Sequence, residues 1–123
     1  MIKKIIATLA IVAGVALFGA MPASADSVAE ITLNPGQRYC LQEYYPAYYQ
    51  AQGHGQVVSG HDVRFTFGSN LQPRLADTFG PAPGFYAAAD RYTHPAAFPG
   101  YFRVCAINPS LKVSTVYLSV SSY

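Results

Sequence analysis

The sequence predicts a small all-β domain, an antiparallel β-sandwich or small barrel with one disulfide, preceded by a signal peptide. Three observations support this fold class. Apolar and polar residues alternate along several short segments, as they do in strands with one buried face. Prolines and glycines interrupt the chain between these segments and exclude long helices. The chain has only two cysteines, Cys40 and Cys105, which in an exported protein form one intramolecular disulfide.

The N-terminal segment, residues 1–25, has the three parts of a secretory signal peptide. A short basic start and an apolar run precede an A-x-A cleavage site at Ala23-Ser24-Ala25. The alternative is a membrane anchor, but the run is short against the ~20 apolar residues that span a bilayer. We therefore expect cleavage before Asp26, a secreted or periplasmic location and no membrane contact afterwards. Residues 26–123 then form a single domain.

The processed chain carries balanced charges. The formal charge of +2 comes from Lys3 and Lys4, which leave with the signal peptide. The remaining bases are spread singly along the sequence and form no run that could follow a phosphate backbone. We therefore expect no nucleic-acid partner.

Strand patterns begin directly after the signal peptide. Residues 28–33 alternate apolar and polar, and Asn34-Pro35-Gly36 ends the run as a turn, because proline presets φ and glycine permits a positive φ. Residues 38–43 follow as a second strand. Residues 62–67 give the clearest amphipathic pattern in the chain, with one apolar and one polar face.

The C-terminal region has the pattern of a hairpin. Residues 101–107 predict a strand, Asn108-Pro109-Ser110 a turn, and residues 112–120 the returning strand. In that returning strand the even-numbered apolar residues from Val116 to Val120 are expected to face the core. One further short strand or helical turn is expected at residues 85–89, because a long structureless loop is uncommon in so small a domain.

The disulfide is expected to clamp the chain's first and last strands together, because Cys40 lies on an early strand and Cys105 on a late one. Closing a loop of this length stabilises a fold by about 4 kcal/mol in the chain-entropy description. A domain of this size has a total stability of only ~5–10 kcal/mol, so the bridge is a major contribution.

Tyrosines concentrate after the second predicted strand. Four of them surround Pro46, and the segment Gly53-His54-Gly55 follows, which we expect to be flexible. A tyrosine ring offers a flat apolar face and a hydroxyl at low entropic cost, which suits stacking on sugars or anchoring a protein partner. The alternative is that two of the four rings fill the core while the others lie at its rim. The candidate ligand-binding residues are Tyr44, Tyr45, Tyr48, Tyr49 and His54.

Motifs for catalysis or metal binding are absent from the sequence. His54, His61 and His94 lack the i, i+4 spacing of a helical ligand pair, and no cysteine or glutamate stands at ligand spacing beside them. Ser59, His61 and Asp62 are the residue types of a catalytic triad, yet they lie too close on an extended chain to converge on one atom. We therefore expect no enzyme, no metal and no cofactor.

These properties favour a small exported binding domain. Its partner is expected to be an extracellular or cell-wall glycan, or another protein, bound through the tyrosine-rich surface. The alternative function is a secreted proteinaceous enzyme inhibitor. Such inhibitors present a rigid loop, and the proline-rich residues 80–84 are the segment suited to that role.

Two segments resemble the ends of bacterial pre-peptidase C-terminal domains. They are residues 30–39, EITLNPGQRY, and residues 99–104, PGYFRV, the latter followed by a turn and a terminal strand. Domains of this family are small β-sandwich modules appended to secreted enzymes and associated with secretion or substrate attachment. The resemblance implies a β-sandwich. The acidic Asp-Leu strand that the family carries in its middle is absent from this sequence, and residues 62–65 are the nearest substitute. We transfer no site residues from the family.

Overall fold

The fold is all-β, as the alternation predicts. The computed structural model describes residues 27–46 and 50–122, so the predicted signal peptide lies outside the described residues. The strands are β1 (Ser27–Leu33), β2 (Arg38–Tyr45), β3 (Gln50–Gly60), β4 (Arg64–Ser69), β5 (Ala76–Asp77), β6 (Gly84–Asp90), β7 (Gly100–Ile107) and β8 (Ser114–Ser122). Within the two described ranges the helical content is one short 3-10 turn at Pro95–Ala97, and no helix there has the length and apolar character to cross a membrane.

The strands form two four-stranded antiparallel sheets that pack face to face. Sheet A has the order β1-β8-β3-β6 and sheet B the order β2-β7-β4-β5. The pairs β1–β8, β2–β7, β3–β6 and β4–β5 are therefore nested inside one another along the chain. Eight strands nested in this way form a jelly roll, a double-sheet fold built from two Greek keys. The predicted sandwich is confirmed, and the small barrel is not formed.

The predicted C-terminal hairpin is wrong. The two strands exist and β8 buries Val116, Leu118 and Val120 as expected, but β7 belongs to sheet B and β8 to sheet A. The chain crosses between the sheets at Asn108, whose side chain is fully buried. Its amide Nδ2 donates to the backbone oxygens of Leu33 and Lys112, at 3.0 and 2.7 Å. A turn held by these bonds connects two layers instead of two neighbouring strands.

The predicted disulfide between Cys40 and Cys105 is confirmed. The two residues stand directly opposite each other on β2 and β7, with their Cα atoms 4.1 Å apart. The bridge therefore joins neighbouring strands of sheet B. The expectation that it clamps the first and last strands is wrong, because those strands, β1 and β8, pair with each other in sheet A.

The core lies between the sheets and is rich in aromatic rings. Phe102 on β7 is its centre, with ring centroids 4.5 Å from Phe98, 5.9 Å from Phe67 and 6.0 Å from Tyr45. Burying such rings supplies much apolar area from few residues, which a small domain requires. The largest fully buried hydrophobic side chains are Tyr45, Phe65, Phe67, Phe102, Leu118, Val63, Val104, Val116 and Val120.

Two strands, β3 and the two-residue β5, were not predicted from the sequence, and β3 is the longer of them. Gly53 and Gly55 are buried on its inner face, where a Cβ atom would lie 2.5 Å from the rings of Phe67 and Phe65 respectively. The glycines therefore let two rings of sheet B pack onto the backbone of sheet A. The expectation of a flexible segment is wrong, because these residues form the middle of a strand that is paired on both sides.

Candidate functional site

The outer face of sheet A carries a band of aromatic and polar side chains. Alternation along β3 places its odd-numbered residues from Ala51 to Val57 toward the core, so the even-numbered ones point outward. The neighbouring strands β6 and β8 add rings and hydroxyls on the same face. We call this band the sheet A platform and define it as Gln52, His54, Gln56, Tyr86, Tyr117 and Ser119.

The strand register fixes how these side chains are arranged. His54 stands between Tyr86 on β6 and Ser119 on β8, and Tyr117 lies one row further along β8, opposite Gln56. The rings of His54 and Tyr117 meet edge to face, with centroids 6.0 Å apart and an interplanar angle of 65°. Since neighbouring strands are ~4.8 Å apart, the platform extends roughly 10 Å from β6 to β8.

Hydrogen bonds orient the polar groups of the platform. The Tyr86 hydroxyl donates to Oε1 of Gln52 at 2.8 Å, and Nε2 of Gln52 donates to Oγ of Ser121 at 2.9 Å. This chain holds the amide between two strands while the Tyr86 side chain remains 60% exposed. The face therefore presents oriented rings beside groups that both donate and accept hydrogen bonds.

Two carboxylates border the platform at opposite corners. Glu30 on β1 lies beside Tyr117, and Asp90 ends β6. The backbone N–H groups of Thr93 and Tyr92 donate to Asp90, each at 2.8 Å, and these bonds lower the pKa of its carboxyl group. Asp90 is thus tied into the turn that follows β6.

The structure separates the predicted site residues. His54 lies on the outer face of sheet A, whereas Tyr44 lies on the outer face of sheet B, where its ring contacts Tyr101 with centroids 5.1 Å apart. The two residues are close in sequence, but the chain crosses from one sheet to the other between them. They therefore do not form one surface.

Tyr45, the neighbour of Tyr44 in the cluster, belongs to neither surface. Tyr45 is fully buried and packs near Phe102, so its side chain belongs to the core and is removed from the predicted recognition surface. This is the outcome of strand alternation, which turns Tyr44 outward and Tyr45 inward. Tyr48 and Tyr49 lie outside the described residues.

The three histidines are spread over different parts of the domain. His54 is central on β3, His61 follows the end of that strand, and His94 precedes the 3-10 turn. Among the residues that the structure describes, no group of three or more His, Cys, Asp or Glu side chains converges as a metal site would require.

The proline-rich loop stands at one end of the sandwich. Its Pro81 lines a shallow open depression together with Gly60, His61, Asp62, Pro109 and Ser110. Phe79, just before the loop, is 82% exposed and has a left-handed backbone with φ of 62°. The carboxylate of Asp77 accepts a hydrogen bond from the Phe79 N–H at 2.7 Å and fixes this conformation.

The two outer faces also carry three tyrosines that were not predicted as site residues, Tyr86, Tyr117 and Tyr101. The signal for one surface was present, since Gln50, Gln52, His54 and Gln56 are polar at every second position, which is typical of a strand with a wet face. The inner positions hold Gly53 and Gly55 instead of large apolar residues, so the alternation typical of a strand was not visible in the sequence. The pairing of Tyr101 with Tyr44 depends on the register between β2 and β7, which cannot be read from the sequence.

No protein-family model matches this chain, and no curated protein sequence matches it. The resemblance to pre-peptidase C-terminal domains therefore stays a prediction.

Proposed function

We propose that this protein is an exported binding domain for an extracellular or cell-wall glycan, held on the sheet A platform. The supporting observation is the in-register arrangement of Tyr86, His54 and Tyr117 among amide and hydroxyl groups. A sugar ring has apolar C–H faces and a rim of hydroxyls. Aromatic rings match the faces, and side chains such as Gln52, which donate and accept, match the rim.

The composition of the platform favours a glycan over a protein partner. Cores of protein interfaces are enriched in aromatic residues, methionine and arginine and are more apolar than the surrounding surface. The platform has aromatic rings, but glutamines and serine fill the space between them. The jelly-roll fold adds support by analogy, because lectin domains use it, although a fold by itself does not determine function.

Binding without catalysis is part of the proposal. Hydrolysis of a glycosidic bond normally uses two carboxyl groups about 5–9.5 Å apart. Glu30 and Asp90, the carboxylates that border the platform, stand on the two edge strands of sheet A and several rows apart. Strand spacing and rise place them roughly 25 Å from each other, too far to act on one bond.

Export to the cell exterior or periplasm is proposed on the signal-peptide pattern, and the Cys40–Cys105 bridge is compatible with it, since disulfides persist in oxidising compartments. The intact mass of protein collected outside the cytoplasm tests this step. A mass matching residues 26–123 is expected. A full-length chain retained in the membrane would exclude it.

The glycan proposal is tested by pull-down on insoluble cell-wall polysaccharides and by titration with soluble fragments of any polysaccharide that binds. Replacing an exposed anchor, Tyr86→Ala, is expected to weaken binding by about 2 kcal/mol, roughly thirtyfold. Tyr92→Ala is the matched control, because Tyr92 is exposed in the β6–β7 connection, beyond the end of β6 and outside the platform residues. Equal affinities for both variants, with unchanged circular dichroism, would refute the site.

The inhibitor function remains a second proposal, which the conformation of Phe79 favours. A non-glycine residue at positive φ is uncommon, and such conformations persist where surrounding contacts hold them. Here they present a large apolar side chain at the edge of the proline-rich loop. An inhibition assay against secreted proteases and glycosidases tests it. Inhibition that Phe79→Ala abolishes would support this function, and no inhibition of any enzyme in the set would reject it.

A further inference from the structure

The outer face of sheet B combines arginine and tyrosine side chains. Residues of β2 and β7 that alternate with the buried Leu41 and Val104 point to this side. We call it the sheet B face and define it by six residues. They are Arg38, Gln42, Tyr44, Arg64, Tyr101 and Arg103.

Positive charge is in excess on this face. Asp77 is the acidic residue among the outward side chains of its strands, and Arg64 neutralises it with two hydrogen bonds of 2.9 and 2.5 Å. Glu43 on β2 alternates with the outward Gln42 and Tyr44 and accepts a hydrogen bond from the Ser27 hydroxyl of sheet A, so it belongs to the other side of β2. Arg38 and Arg103 are exposed, and neither has an acidic group within ion-pair distance in residues 27–46 and 50–122. Residues 26–123 contain equal numbers of acidic and basic residues, so an excess of positive charge on one face means that the two signs are unevenly distributed over the surface. The opposite face is bordered by Glu30 and Asp90.

The tyrosines of the face form an ordered aromatic pair. Tyr44 and Tyr101 are cross-strand partners whose rings meet edge to face at 5.1 Å, and they remain 42% and 49% exposed. Asn70 fixes the backbone beneath them, because its Oδ1 accepts from the Tyr101 N–H at 2.7 Å and its own N–H donates to the Tyr101 oxygen at 3.0 Å. The pair is thus positioned before any ligand arrives.

Arg103 stands next to this pair. It is two residues from Tyr101 on the same strand and face, a separation of about 7 Å, and it lies opposite Gln42 on β2. A six-membered sugar ring on the tyrosines would therefore bring a substituent within reach of a guanidinium group. The planar fork of arginine matches a carboxylate, with which it forms two parallel charge-assisted hydrogen bonds.

We infer that the sheet B face is a second binding surface, which takes an acidic polysaccharide carrying carboxylates on its sugar rings. The excess of positive charge favours an anionic ligand. The Tyr44–Tyr101 pair beside Arg103 favours a ligand whose carboxylate is attached to a sugar ring. Arg38 lies about 14 Å from Arg103 by strand rise and spacing, so the two cations suit carboxylates at separate positions of one chain. A nucleic-acid backbone carries more closely spaced phosphates and is bound by a denser row of basic residues than these two arginines provide.

The test measures binding of the full processed protein to polygalacturonate, to its methyl ester and to polyphosphate. Polygalacturonate has sugar rings with carboxylates, its methyl ester has the same rings without charge, and polyphosphate has negative charge without sugar rings. Polygalacturonate is expected to bind at least tenfold more tightly than either of the others. Comparable affinity for polyphosphate, or no affinity for polygalacturonate, would overturn the inference.

Variants locate the binding on the face. Arg103→Gln and Tyr101→Ala are each expected to weaken polygalacturonate binding by about tenfold, consistent with the loss of a charge-assisted bond or an aromatic contact. Arg91→Gln removes the same charge from the β6–β7 connection and is expected to change affinity less than twofold. If Arg91→Gln is as harmful as Arg103→Gln, net charge alone explains binding and the site assignment fails.

The two surfaces are tested independently. Tyr86→Ala, which removes an anchor of the sheet A platform, is expected to leave polygalacturonate binding unchanged, because the two faces are on opposite sides of the sandwich. A loss caused by Tyr86→Ala would place the acidic chain on the platform and overturn the inference. Failure of the platform's own ligand tests would leave these measurements unaffected.

Discussion

The ring of Phe65 on sheet B lies against the backbone of Gly55 on sheet A, so closely that a Cβ at residue 55 would be 2.5 Å from two ring carbons. Gly55→Ala must therefore displace the ring or separate the sheets. Overpacking of this kind costs about 1–3 kcal/mol, which we expect as a loss of unfolding free energy in urea denaturation. Gly80→Ala is the control, since a Cβ there meets nothing within 4 Å. Equal stability of the two variants would contradict this account of the sheet contact.

Asn108 is predicted to be the most sensitive polar residue. Its amide donates to the Leu33 and Lys112 carbonyls, and its Oδ1 accepts from the N–H of Ser110 at 3.0 Å and from its hydroxyl at 2.8 Å. Asn108→Ala removes all four bonds and leaves the buried Leu33 carbonyl without this donor, and an unsatisfied buried group costs about 1–3 kcal/mol. The Lys112 carbonyl keeps the Ser110 hydroxyl as a donor, at 2.9 Å. A decrease of at least 2 kcal/mol in unfolding free energy is expected. A decrease below 0.5 kcal/mol, roughly the effect of an ordinary surface change, would show that the crossing does not depend on this side chain.

Removing the disulfide is predicted to cost about 4 kcal/mol of stability, because 65 positions separate the two cysteines and the bridge restricts the unfolded chain. The double variant Cys40→Ser/Cys105→Ser is compared with wild type, oxidised and reduced, by chemical denaturation. Reduced wild type is expected to resemble the double variant. Thiol titration of the denatured, unreduced protein should detect no free cysteine. An unchanged denaturation midpoint in the double variant would refute the stabilising role.

Asp77 is predicted to make stability depend on pH in the acidic range. The hydrogen bonds from Arg64 lower its pKa most, and the Phe79 N–H and the nearby charge of Arg74 lower it further. The folded pKa is thus below the unfolded value of about 3.9, so the stabilisation is present above that pH and is lost as pH falls through the folded pKa. Because solvent reaches 42% of the partner Arg64 side chain and screens the pair, the effect on unfolding free energy is about 1 kcal/mol or less.

Asp77→Asn should therefore be less stable than wild type at pH 7, and the difference should begin to shrink below about pH 4 and vanish once pH is below the folded pKa. Thermal unfolding across this range measures the difference. Asp62→Asn, at an exposed position of the β3–β4 turn, serves as the control and should follow wild type. If the difference in stability between wild type and Asp77→Asn persisted or grew as pH fell, the stabilising role of the ionised Asp77 would be contradicted.

Strands with one apolar and one polar face were predictable from sequence. Phe65 and Phe67 on β4, and Val116 to Val120 on β8, show the period of two directly and are buried as expected. β3 was not predictable in the same way, because Gly53 and Gly55 occupy its inner positions and their packing partners come from the other sheet. Glycine indicates either a flexible segment or a close contact, and only the tertiary structure distinguishes them.

The pairing of strands and the composition of the surfaces were less predictable. An Asn-Pro-Ser turn fits a hairpin as well as a crossing between layers, and the choice depends on the burial of Asn108. Tyr44 and His54 are neighbours in sequence but lie on opposite sides of the sandwich, while Tyr86 and His54 share a row although 32 positions separate them. Residues that form a surface on a jelly roll come from distant strands, so their grouping requires the register.

The nested strand pairs also determine the order in which the chain can fold. The most local pair, β4–β5, is short, and every other pair joins strands with more than about 20 residues between them. Domains dominated by such distant contacts fold slowly, in milliseconds to seconds. β8 lies between β1 and β3 in sheet A, so the sheet stays divided until Ser114–Ser122 has been synthesised. Under the proposed export, with the N-terminus leading, the chain cannot complete this fold before its last strand has crossed the membrane.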